Sequence, residues 1–143
     1  MIKTLFIAWC LVVVTVMVHT IGLTALIRLL TKPQADPPTE FWPITRLLIQ
    51  VTWWLIMIHL IEISVWGLFY YWQGCLPDAE SAFYFAGVTY TTTGYGDLLL
   101  QPPWRMLGPV EALTGILMCG LSAGVFFAVV SRIFAPRLEV KSK

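Results

Sequence analysis

Thr91-Thr92-Thr93-Gly94-Tyr95-Gly96-Asp97 is the stretch on which the fold turns. Two glycines in three positions favour an extended or left-handed path over continued helix. The stretch follows residues 80–91, a moderately apolar run too short to cross a bilayer, which needs about 20 helical residues, and so reads as a re-entrant helix. Asp78 stands where it can cap that helix. Irregular backbone at membrane depth survives only where protein buries it or where it lines a water-filled path.

The flanking segments are long and apolar. Residues 47–72 precede the short helix, with aromatic residues at both ends suited to the two membrane interfaces, and residues 105–135 follow it, with Pro109 placed for a first turn and Pro136 as a stop. Upstream, residues 5–30 form another spanning candidate between Lys3 and Lys32. A cleaved signal peptide would also start with a lysine and an apolar run, but this run exceeds the usual span of about 7–15 residues and lacks a small-x-small cleavage site. Residues 32–46, with Pro33, Pro37, Pro38 and Pro43, read as a water-exposed linker. The expected fold class is an all-α membrane protein of three transmembrane helices plus the re-entrant helix. Its parts are an N-terminal helix (1–31), the linker (32–46), a pore module (47–135) and a tail (136–143).

Composition agrees. The 143 residues are 58% hydrophobic and only 12% charged, far too apolar for an ordinary soluble domain, and one folding unit is expected at this length. A net charge of +1 without a long basic run argues against nucleic acid as a partner. Cys10, Cys75 and Cys119 are too scattered for a disulfide framework or a zinc knuckle. Seven basic residues border the linker and the C-terminus, whereas Lys3 and Arg105 alone lie on the other side. This asymmetry puts linker and C-terminus in the cytoplasm and the N-terminus outside, in the cell inner (plasma) membrane.

The glycine-rich stretch resembles the selectivity filter of the potassium-channel superfamily. A chance match at Thr92, Gly94, Tyr95, Gly96 and Asp97 in a chain this long is roughly one in ten thousand at average residue usage, so the signal is specific. A potassium ion leaving water needs replacement oxygens, which rings of backbone carbonyls can offer. The resemblance implies ion cages from the carbonyls of Thr92, Thr93, Gly94 and Tyr95, with the Thr92 hydroxyl closing the lowest one. Potassium ions in the filter are the implied cargo, and no organic cofactor is expected. One chain supplies a quarter of each cage, so the implied partners are three identical subunits and the lipid bilayer.

By the same resemblance, Gly96, Asp97, Tyr84 and Phe85 would support the filter, with Tyr84 able to hydrogen-bond Asp97. Ordinary membrane packing is the plainer role for the two aromatics. Thr93 departs from the usual branched apolar residue, and its hydroxyl can add a hydrogen bond behind the filter. Gly115 falls near the family's hinge glycine, although Gly115, Gly120 and Gly124 serve equally well for close helix packing. Ile116, Cys119, Ala123 and Phe127 recur at helical spacing as pore-lining candidates. The module, the extra helix and residues 104–113 resemble small bacterial three-helix ion-channel proteins, and no arginine-repeat voltage sensor or ligand-binding domain is expected.

His19, His59, Glu62 and Glu111 are costly in hydrocarbon and should face protein or water. His59 and Glu62, three apart, share one helical face, with His19 a candidate partner and a hydrogen-bonded cluster the expected outcome. A metal site there would need more ligands than these residues supply. Glu111 is placed to brace the short helix or the filter. Two rival classes remain beside the channel: a membrane metalloenzyme using that cluster, and a non-conducting regulatory subunit.

Overall fold

A computed structural model describes residues 2–31 and 40–141, with side chains as far as Phe134. Four helices follow one another: α1 (Ile2–Leu30), α2 (Phe41–Trp72), α3 (Ala79–Tyr90) and α4 (Leu107–Lys141). Among the described residues there is no strand.

α1, α2 and α4 are apolar on every side rather than along one stripe, the pattern of helices whose outer faces meet lipid. Each is long and apolar enough to cross a membrane, over Ile2–Leu30, Phe41–Trp72 and Leu107–Phe134. The 12 residues of α3 rise only about 18 Å, well short of a hydrocarbon core of about 30 Å. Asp78 caps α3 as its position suggests, accepting from the Ser81 amide at 2.8 Å.

Two helix ends differ from expectation. α2 starts at Phe41 instead of Leu47, because Pro43 falls in its first turn, where the missing N–H is one of the donors that lack a partner anyway. Proline therefore opens this helix and does not interrupt it. The rest of the linker, 32–39, lies outside the described residues. α4 continues past Pro136 to Lys141, since an interior proline removes one hydrogen bond and favours a kink without compelling an end.

The core has two parts. Toward α3, Trp66, Tyr70, Phe85, Tyr90, Leu107 and Met118 pack together with Ala8 of α1. Toward the other end, Leu26, Val51, Leu55 and Ile58 pack against Val125, Phe126 and Val129. α1 thus lies in the groove between α2 and α4. Polar contacts fasten it to α2 at three levels: Trp54 Nε1 donates to the Gly22 carbonyl (3.0 Å), His19 meets Glu62 (2.9 Å), and Trp66 Nε1 donates to Thr15 Oγ1 (3.1 Å).

Candidate functional site

α3 ends at Tyr90, and the chain turns without regular structure through residues 91–106 before α4 begins. The start of that path is tied to the end of α3. The amides of Thr91, Thr92 and Gly94 donate to the carbonyls of Gly87, Thr89 and Val88 at 3.1, 2.9 and 3.0 Å. Positive φ occurs at Thr92 (60°), Gly94 (49°) and Gly96 (79°), so every second residue of the segment is left-handed. Glycine adopts such angles at no steric cost, which accounts for two of the three; Thr92 holds one with a side chain.

Around this segment the polar contacts are local. Tyr84 Oη donates to Asp97 Oδ2 at 2.8 Å, tying the outer part of the segment back to α3. That bond to a carboxylate raises the Tyr84 phenol above its ordinary titration range. The Thr93 hydroxyl lies 3.0 Å from the Thr91 hydroxyl. Phe85 points the other way, into the core, where it meets Tyr70 edge-on with ring centroids 5.3 Å apart. Tyr95 is 72% exposed in the single chain.

On α4, Ile116, Cys119, Ala123 and Phe127 all lie on the exposed side, while Glu111, Thr114, Met118 and Ser122 turn inward. Gly115 belongs to the inward side. A Cβ there would run into the Tyr90 carbonyl at the end of α3, whereas Gly120 and Gly124 have no such neighbour. Gly115 has a packing reason to be glycine, and α4 passes through it unbroken.

The intramembrane ionisable residues gather as the cost argument anticipates. His19 Nδ1 lies 2.9 Å from Glu62 Oε1 and His59 Nδ1 lies 3.2 Å from Glu62 Oε2, with the two imidazole rings 5.5 Å apart. Two further members were not legible in the sequence. Tyr90, from α3, donates its hydroxyl to Glu62 Oε2 and sits 3.0 Å from His59 Nδ1; Ser122, from α4, is 3.0 Å from His59 Nε2. Only the order and phase of the helices bring them in, and no local spacing signals it. Glu111 accepts from Tyr70 of α2, which donates to Oε2 at 2.7 Å, and Tyr70 in turn meets Phe85 of α3. Cys75, between α2 and α3, is a half-buried free thiol pushed up to about 11 by burial, far from an activated nucleophile.

Neither a curated protein nor a solved structure matches the chain significantly. The model of one family, described as "Ion channel", does match, over residues 58–132, just over half of the chain. The matched span runs from the middle of α2 through α3 and the glycine-rich segment to the lower part of α4. Its members are channels, not catalysts, which removes the metalloenzyme reading. With three helices able to span a membrane and the family's module between and around the last two, this chain belongs to the ion channel family.

Proposed function

We propose that the chain is one of four identical subunits of a potassium-selective channel whose filter is Thr92-Thr93-Gly94-Tyr95-Gly96. The observation that carries this reading is the alternation of left-handed backbone at residues 92, 94 and 96, directly after a helix too short to span. Regular helix or strand would send carbonyls along its own axis or to alternate sides, whereas this backbone is free to offer oxygens to an ion. The carbonyls of Thr92, Thr93, Gly94 and Tyr95 are the proposed ligands of the passing ion, and Tyr84, Phe85, Gly96 and Asp97 support them.

A single chain leaves such a filter open on one side. Tyr95 and the α4 face of Leu113, Ile116, Leu117 and Phe127 are all more than half exposed, as expected of surfaces that meet symmetry mates or line a central path. In this assembly α3 is re-entrant from the outside, the N-terminus is outside, and Ile116, Cys119, Ala123 and Phe127 face the pore. Gly115 serves close packing against α3, and a hinge would sit more easily at Gly120 or Gly124, which are open.

The test is rubidium uptake into liposomes holding the purified protein. Wild type should load rubidium, and Gly94→Ala, which puts a side chain on a left-handed residue, should reduce uptake at least about ten-fold while assembly is retained. Uptake by Gly94→Ala equal to wild type would remove the proposed filter.

A further inference from the structure

The conduction path described above makes no use of the buried cluster at Glu62, yet that cluster is where all four helices meet. Glu62 is fully buried and accepts from three residues: His19 of α1, His59 of its own helix and Tyr90 of α3. Ser122 of α4 closes the group at His59 Nε2. Two further titratable groups face it from α4: the Cys119 thiol feels the charge of Glu62, and Cys119 and Glu111 both act on Tyr90.

Charge bookkeeping sets the state of this group. A carboxylate shut away from water needs an opposite charge beside it or a proton of its own, so the cluster holds one proton more than an anionic Glu62 and two neutral imidazoles would carry. His59 is the ring suited to it. Both of its nitrogens have partners, Nδ1 toward Glu62 and Tyr90 and Nε2 toward Ser122, so both N–H groups of an imidazolium are satisfied. His19 is suited to the neutral form, with Nδ1–H on Glu62, because its Nε2 is buried with no hydrogen-bond partner.

The cluster also has a route to the filter. Tyr90 is the last residue of α3, its hydroxyl is held by Glu62, its carbonyl rests on Gly115, and Thr92 follows two residues on. We infer that His59, as an imidazolium, and Glu62 are positioning residues that hold the inner end of the filter through Tyr90. The inference rests on the potassium-channel reading above. When His59 loses its Nδ1 proton, a lone pair faces the Glu62 carboxylate and the Tyr90 oxygen at close range, both are pushed off the ring, and Tyr90, still donating to Glu62, shifts with it, so the first filter carbonyls lose their register.

Rubidium flux through liposomes holding the full chain, followed from about pH 5 to pH 9, reads this directly. Wild-type flux should fall as pH rises through that range. Glu62→Gln, neutral without a proton, should give flux that no longer varies with pH. Tyr90→Phe should lower the preference for potassium over sodium about ten-fold, and Ser122→Ala, which removes one acceptor from the imidazolium, should move the fall in flux to lower pH by about one unit. Glu62→Gln with the wild-type pH profile, or Tyr90→Phe with wild-type selectivity, would overturn the inference; if these two variants do not assemble, an unshifted Ser122→Ala profile does so alone. Two readouts are independent of conduction. Nitrogen-15 spectra of the purified wild type should show one imidazolium and one neutral ring near neutral pH, and amide exchange over residues 91–94 should speed up in Tyr90→Phe. Two neutral rings, unchanged exchange, or one zinc ion per chain bound at His19, His59 and Glu62 would overturn it, whether or not the protein conducts.

Discussion

A methyl group at residue 115 would collide with the Tyr90 carbonyl, and that carbonyl belongs to the residue on which α3, the buried cluster and the glycine-rich segment converge. Gly115→Ala should therefore lower the stability of the assembled protein by about 1–3 kcal/mol, the usual range for overpacking a core. Gly120→Ala meets nothing in the chain and should cost less, even though both residues are glycines on one helix. Thermal unfolding of the two variants side by side checks this, and an equal loss from both would show that α4 does not rest on α3 as described. Thr92 is the other residue of note at this scale. It holds a left-handed φ of 60° without being glycine, and its amide bond to the Thr89 carbonyl at 2.9 Å helps to keep it there.

Between elements, α1 is joined to α2 by contacts that a bilayer does not discourage: an indole to a carbonyl, an indole to a hydroxyl, and an imidazole to a carboxylate. Hydrogen bonds between membrane helices typically contribute about 0.6 kcal/mol and at most about 2. A double-mutant cycle with His59→Ala and Glu62→Gln, scored on stability, should give a coupling of about 0.5–2 kcal/mol. Strict additivity would leave the two as separate packing residues. The pairing of His59 with Glu62 was legible because both lie on one helix, where a spacing of three fixes a shared face. His19 was legible only from the cost of leaving it in lipid. Tyr90, Ser122 and Tyr70 were not, since what brings them to Glu62, His59 and Glu111 is how the helices pack. Apolar segments read well for the same reason: length and composition decide whether a helix spans, while a proline decides a boundary only together with its position in the turn, as Pro43 shows.

For the molecule as a whole, the basic residues predict a direction. Tags placed at Met1 and Lys143 should report from opposite sides of the membrane, the first outside and the second in the cytoplasm, when probed with an impermeant reagent. Both tags in the cytoplasm would mean that α1 does not cross. With the linker and the C-terminus in the cytoplasm, α3 and the proposed filter would face the outer solution, so orientation and conduction stand together. Conduction is the central claim, and a bi-ionic recording tests it most directly: purified protein in a planar bilayer, potassium on one side and an equal concentration of sodium on the other. The current should reverse at a voltage displaced well toward the potassium equilibrium potential, as a filter of backbone carbonyls requires. Reversal at zero, with the protein folded and assembled, would contradict the account.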